Sequence, residues 1–517
     1  MAQAAAAILI EEEVVADLPE ALREQVLAGV FFGPHHAAAE RVGSFTFLPP
    51  AEALADWFGP LAAQRFAADP EACRAALDRD IAALDALIGA QLDAILHHQR
   101  LRRLEGSWRG LAWLIAGLDP AGRVKVKVLD ISWPALCRDL DRAVEFDQSQ
   151  LFHKVYEEEF GTPGGEPYGL LVIDHEIRHR PFPGAPTDDV GALTRLAGVA
   201  AAAFVPTVLA ASPALLQVEE FADLAMAVDL SDLFRGPEFA RWRELSSRED
   251  MRFIGVTLPR VLARPPWEDD PARADGFRYA EYAPEISSRV WMSAGYAFAA
   301  VVARAFVNHA WPADVRGSET DFVGAGLVTD LPIEPFRTDP DHVWVRPSLD
   351  LVLSDRLEAA LVEAGLMPLS ALPYSEEAVF SAVRSLQAPA RFAGRTAAAA
   401  NANARLSAQL NSMLCVSRFA HYIKIKGREL VGSFKTADEI EAQLQKWLIG
   451  YVNANLQSGP EGRARFPLVA GRVSVRELPG RPGVFGCIMH LQPHFQLDDV
   501  AATFRLVTDI ASPSLQA

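Results

Sequence analysis

The sequence predicts a layered α/β fold with a helical amino-terminal region and a carboxy-terminal β-hairpin, and three stretches carry that expectation. Between Val473 and Leu491 apolar and polar residues alternate on either side of Pro479-Gly480-Arg481-Pro482-Gly483, the pattern of a hairpin closed by a proline-and-glycine loop. From Ala68 to Ile115 apolar residues such as Ile81, Leu84, Leu87, Ile88, Leu92, Ile95 and Leu96 recur at helical spacing, and the one apolar face they form must dock on a partner surface. From Arg123 to Ile173 an alternating run, RVKVKVLDI, is followed by a helical stretch of mixed charge and then by a buried strand around GLLVI. That order reads as a strand-helix-strand crossover and an α/β layer.

A chain of 517 residues, half of them apolar, buries a large core and suits two or three domains. The expected division is a helical region at 1–75, a central α/β body at 76–395 and core helices with the hairpin at 396–517. With 49 basic and 67 acidic residues the formal charge is −18, which opposes nonspecific binding to nucleic acid or anionic lipid. Cys73, Cys137, Cys415 and Cys487 lie far apart without metal-type spacing, which suits free buried thiols in a reducing compartment and no disulfide. The opening MAQAAAAILIEEEVV has no basic residue before its apolar run and three glutamates after it, so it reads as no secretory signal and the cytoplasm is the expected compartment. Leu196 to Val218 is uncharged and long enough to span a bilayer, but Pro206 and Pro213 and the lack of basic flanks favour two buried helices with a proline break.

In order along the rest of the chain, Asp17-Leu-Pro-Glu opens like a capped helix, and glycine and proline punctuate Phe32 to Pro60. Phe221 to Leu233, Glu238 to Asp250, Val290 to Phe306, Asp355 to Ala364, Ala397 to Ile423 and Ala437 to Tyr451 read as helices. Met251 to Leu258 reads as a strand stopped by Pro259. The hairpin buries too little to stand alone and needs further sheet, in its own fold or in another chain.

Three patterns imitate active sites. His175-Glu176-Ile177-Arg178-His179 has the HExxH spacing of zinc peptidases, which requires a helix; here it follows a strand and meets Pro181 and Pro183, so a strand-end loop is expected. His97 and His98 are adjacent and point to different sides of a helix, with Asp93 as a single further donor, so a structural role is expected. His421 and Tyr422 lack a third orienting group and read as packing residues. FGTPGGEPYG and Gly324-Ala-Gly326 lack the spacing of a phosphate loop. No catalytic, cofactor or metal residue is assigned.

Five blocks resemble the large subunit of the type VI secretion system contractile sheath, the TssC/VipB-like family: AQLDAILHHQRLRRLEGSWRGLAWLI (90–115), EFDQSQLFHKVYEEEFGTPGGEPYGLLVIDHE (145–176), REDMRFIGVTLPRVLARPPW (248–267), NARLSAQLNSMLCVSRFAHYIKIKGRELVGSF (403–434) and LPGRPGVFGCIMHLQPHFQLDDVAATFRLV (478–507). The likeness runs from about Asp80 to the end. Relatives usually carry a Gly-Asp-Tyr-Glu-like element where this chain has Val172-Ile-Asp-His-Glu176, and the first 75 residues match poorly.

The resemblance implies a layered α/β sheath-protein fold and a non-enzymatic structural subunit. Such a subunit pairs with a small sheath subunit (TssB-like), polymerises with copies of itself around an inner tube of hexameric rings (Hcp-like) on a baseplate, and contracts. A disassembly ATPase (ClpV-like AAA+) recognises the amino-terminal helix of relatives, and Pro19 to Val30 is the amphipathic candidate here. The hairpin is then expected to exchange strands between neighbours through Val473, Val475, Glu477, Val484, Phe485, Cys487, Met489 and Leu491. Leu104, Trp108, Leu111, Phe419, Tyr422 and Trp447 are expected to pack in the core or on the small subunit. The alternatives are the sheath of a phage-tail-like injection particle and the HExxH metallopeptidase.

Overall fold

The computed structural model describes residues 22–29, 36–226, 230–318, 323–340, 343–373, 375–393, 397–430, 436–455, 459–477, 485–494 and 504–510. It divides into two units, Met1–Leu101 with Pro266–Ser288, and Arg102–Pro265 with Arg289–Ala517.

The first unit is helical: α1 (Leu22–Leu27), α2 (His36–Phe45), α3 (Pro50–Phe58), α4 (Pro60–Ala68) and α5 (Pro70–Leu96). Proline opens α3, α4 and α5, where the missing N–H would have no intrahelical partner anyway. Asp80 on α5 is buried; it accepts two bonds of 2.7 Å from Arg23 on α1 and one of 2.9 Å from Trp57 on α3, so one carboxylate ties three helices. The bond from Arg23 holds its pKa below the usual carboxylate range. Leu22 and Val26 are buried, which makes α1 amphipathic as expected of Pro19 to Val30, although 19–21 and Val30 lie outside the described residues.

The helical pattern from Ala68 to Ile115 is two helices, because α5 stops at His97 and α6 (Gln99–Ala116) begins two residues later. The break comes from partners far along the chain: Tyr279 donates its hydroxyl to Asp93 (2.7 Å), and His97 Nε2 lies 3.2 Å from Glu281. Ile81, Ile88 and Ile95 remain exposed rather than lying under a neighbour.

The second unit holds α7 (Trp133–Arg142), β1 (Leu171–Ile177), α8 (Asp189–Ala202), β2 (Thr207–Ala211), β3 (Ile254–Leu258), α9 (Ala294–His309) and β4 (Met367–Pro368). The four strands form a parallel sheet in the order β1-β2-β3-β4. Leu209, Val256 and Leu258 face a core shared with α8, whereas Val208 and Met367 face a second core built on α9, giving helix, sheet and helix layers.

Three expectations change here. Arg123 to Ile131 is extended but joins no sheet, and the crossover lies one step later, in β1-α8-β2. The second helix expected within Leu196 to Val218 is instead strand β2 and a short 3-10 turn at Pro213–Leu216. After Pro206 the residues are buried on both faces between β1 and β3, and such a central parallel strand shows the same unbroken apolar run as a buried helix. Phe221 to Leu233 is likewise a 3-10 turn (Phe221–Met226) and a short helix (Leu230–Leu233).

The pattern from Ala397 to Ile423 is also two helices, Ala397–Ser407 and α10 (Leu410–Leu430). The Ser385 N–H and hydroxyl both reach the Ala408 carbonyl at the joint. Beyond α10 come α11 (Ala437–Ile449), opened by a capping box between Thr436 and Glu439, and the strands β5 (Leu468–Glu477), β6 (Phe485–Pro493) and β7 (Phe504–Ile510).

Candidate assembly surfaces

The expected hairpin is present and carries a third strand. Antiparallel pairing sets Val473 opposite Met489 and Val475 opposite Cys487, and β6 pairs on its other side with β7, Met489 opposite Leu506. The closing turn and Val484 lie outside the described residues. Strand alternation sends Val473, Val475, Cys487, Met489 and Leu491 into one buried face that packs on Phe419, Ile423, Ile440, Leu444 and Leu448 of α10 and α11. Phe485 is half-buried at the end of that face, and Glu477 is exposed. Val473, Val475, Cys487, Met489 and Leu491 therefore belong to the chain's own core.

The two edges differ. Along β5, Gln445 Nε2 donates to the Gly471 carbonyl (2.9 Å), while the Val473 N–H donates to Gln445 Oε1 (2.7 Å) and the Val475 N–H to Glu441 (2.9 Å). Four residues of helix rise about 6 Å and two residues of strand about 6.8 Å, so the repeats of α11 and β5 run nearly in step. Helix side chains thus occupy the outward groups of β5. The outer edge of β7 has no ladder partner among the described residues.

The aromatic residues singled out from sequence divide into two sets. Phe419, Tyr422 and Trp447 gather with Trp311 and Tyr451 in the core under the ribbon, where Trp311 Nε1 donates to Cys415 Sγ (3.0 Å) and burial pushes that thiol up to about 12. Leu104 and Trp108 are 55% and 62% exposed, and Leu111 packs against the α9 core. The opposite face of α6 is packed too closely for a side chain: a Cβ on Gly106 would stand 2.1 Å from the Trp291 carbonyl oxygen, and one on Gly110 2.6 Å from the Tyr296 ring.

The HExxH pattern lies on β1 and the turn after it, not on a helix, as expected from its flanks. His175 stacks on Trp133 with ring centroids 4.2 Å apart, 3.4 Å from Asp189, and burial lowers its pKa. Glu176 points the other way, to Arg260 at 2.5 and 3.0 Å, and His179 stacks on Phe239. Asp350 accepts the Arg260 N–H (2.8 Å), and burial pushes its carboxyl up to about 7. The three motif side chains thus diverge into separate packing roles. His421 is buried in the core with its Nε2 3.0 Å from the Ala203 carbonyl, and burial lowers its pKa to about 3. Among the described residues no helix is long and apolar enough to cross a membrane.

A body with helices on both faces of a parallel sheet and a terminal ribbon seated on two helices is matched by family models of tail sheath domains. Residues 78–387 match the EvpB/VC_A0108 tail sheath N-terminal domain and residues 399–510 the EvpB/VC_A0108 tail sheath gpW/gp25-like domain. The chain is 37% identical over 437 residues to the type VI secretion system sheath protein TssC1 of Pseudomonas aeruginosa, covering 84% of this chain and 85% of that protein. A cryo-EM structure of the anti-feeding prophage baseplate aligns with 73% of this chain and 83% of its own at 10% identity and a TM-score of 0.32. The chain belongs to the VipB/TssC family of type VI secretion sheath large subunits, a family of structural sheath proteins.

Proposed function

We propose that this protein is the large subunit of a contractile sheath that polymerises with a small sheath subunit around an inner tube on a baseplate and contracts to drive secretion. Neighbours would be joined by extension of the carboxy-terminal sheet. What supports this most is the edge of β7, a main-chain row without a ladder partner among the described residues, on a sheet in which the inward side chains of β5 and β6 are committed to the chain's own core. A strand added there contributes only about 0.5 to 1.5 kcal/mol per backbone bond, but several bonds in series form a link that tolerates rotation of the subunits it joins. Heterologous contacts of this kind propagate a helix. Contraction is then a switch between two packings of the same subunits, and a disassembly ATPase acting on the amino-terminal region would recycle them.

Co-expression with the small sheath subunit, followed by negative-stain electron microscopy, tests this. Tubules are expected from the full chain and none from a chain ending before Arg472. Normal contracting tubules from the shortened chain would overturn the assignment.

A further inference from the structure

The stretch from Ala68 to Ile115 is written as one helix and built as two. Asp69 caps its start, accepting from the Ala72 N–H (3.0 Å), with Pro70 and Glu71 in the first turn, and Gly117 follows its end. From Ala90 to Glu105 there is no glycine or proline, yet α5 stops at Leu96 and α6 starts at Gln99. The charges at that junction have the wrong sign for helix ends. The last turn of α5 holds Asp93 and no basic residue, and the first turn of α6 holds Arg100 and Arg102 and no acidic one, the reverse of what the helix dipole favours at a carboxy terminus and at an amino terminus. In an unbroken helix none of these residues would stand at an end.

What parts the two helices is the arm Pro266–Ser288, which belongs to the same unit as α5. Gly89, Asp93 and His97, each one turn apart on one face of α5, meet the arm in order: the Tyr279 ring lies 3.4 Å from where a Cβ on Gly89 would stand, the Tyr279 hydroxyl donates to Asp93 (2.7 Å), and His97 Nε2 lies 3.2 Å from Glu281. The Glu281 side chain is almost wholly buried and also accepts the Trp267 N–H (3.0 Å). The backbone between the helices stands close to helical. His98 donates to the Ile95 carbonyl (3.1 Å) and Leu101 to the His98 carbonyl (2.9 Å), bonds three residues apart rather than four, and His97, at φ −84° and ψ −1°, needs a ψ change of about 40° to become α-helical. We infer that residues 97–98 are a two-state junction: with the arm seated α5 and α6 are separate, and with the arm lifted the helix runs unbroken through 97–101. The arm's bonds favour the first state, whereas the regained helical bonds and the end charges favour the second. Seating or lifting the arm is thereby converted into breaking or making one helical turn. The inference stands apart from the sheath assignment.

Hydrogen exchange with mass spectrometry on the full chain tests this. With α6 starting at Gln99, the N–H groups of 99–102 are the first four of a helix and lack partners four residues back, whereas an unbroken helix supplies all of them. Tyr279→Phe/Glu281→Gln keeps the bulk of the arm but removes its hydroxyl donor and its charge, so peptides from 266–288 should exchange faster while amides 99–102 exchange at least tenfold slower. His97→Ala takes away Glu281's partner from the helix side and should act in the same direction, which keeps the test open if the double variant folds poorly. Adding His98→Pro, which a helix interior rejects, should abolish the slowing. A contact that merely holds the arm down would speed exchange in both segments. That result, unchanged exchange at 99–102 in both variants, or slowing that survives His98→Pro overturns the inference.

Discussion

Replacing Gln445 with alanine tests how the ribbon is held. The side chain makes two bonds to β5, donating to the Gly471 carbonyl at 2.9 Å and accepting from the Val473 N–H at 2.7 Å. At about 1 kcal/mol per neutral bond, Gln445→Ala removes roughly 2 kcal/mol from the local stability of β5, less whatever water returns to that edge. The Glu441 bond to Val475 remains, so β5 should loosen rather than leave. Local opening governs amide exchange, and roughly 2 kcal/mol corresponds to roughly 30-fold faster exchange in peptides from 468–477, with peptides across β2 unchanged. Gln445→Glu sharpens the test: it still accepts from Val473 but sets a carboxylate against the Gly471 carbonyl, and should exchange at least as fast as the alanine variant. Hydrogen exchange with mass spectrometry on the full chain reads both. Wild-type protection of 468–477 in Gln445→Ala would refute the idea that α11 clamps this edge.

Other outcomes follow from the same geometry. Gly106→Ala must move α6 by more than about 1 Å, since a relaxed carbon-to-carbonyl contact is about 3.3 Å and the new Cβ would stand at 2.1 Å, and the roughly 1–3 kcal/mol of overpacking should exceed the roughly 1 kcal/mol of helix propensity gained; an unchanged or higher Tm would contradict this. Asp350, held up at about 7 by burial, keeps a proton in the native state that the unfolded chain loses near pH 4, so its contribution to stability falls as pH rises from about 4 to 7. Asp350→Asn lacks that loss, and its Tm relative to the unmodified chain should rise between pH 5 and pH 8; a falling difference would reverse the sign. Glu176→Gln weakens the two-pronged pair with Arg260, and a destabilisation of about 1 kcal/mol is expected in thermal melts with and without chelator alike. A loss seen only when zinc is present would instead favour a metal role for the motif.

Local patterns made the strongest elements legible. The alternation between Val473 and Leu491 marks a strand pair whose register the structure gives directly, and Gly365, at φ +86, ends the helix Asp355–Glu363 as its position after an apolar run suggests. Flanking prolines distinguish the HExxH pattern from a zinc helix. What failed was whatever depended on distant partners. The stop at His97 is made by Tyr279 and Glu281, and the burial of Thr207–Ala211 by strands on both sides, neither of which any window of neighbouring residues contains. The alternation at 124–131 is as clean as that of a true strand, yet among the described residues no strand pairs with it. For the assembly surfaces, composition marked Val473, Cys487 and Met489 as apolar and regular, which is equally true of core and interface. Only the packing on α10 and α11 separates the two.

The glycines of α6 also carry a mechanical meaning. Where Gly106 meets the Trp291 carbonyl, no cushion of flexible side chains separates helix from neighbour. Soft layers of rotamers absorb a small push by rearranging, whereas such a bare joint has nothing to rearrange and hands displacement on undiminished. A shift of α6 at Gly106 would therefore reach the backbone at Trp291 with little travel lost between the two.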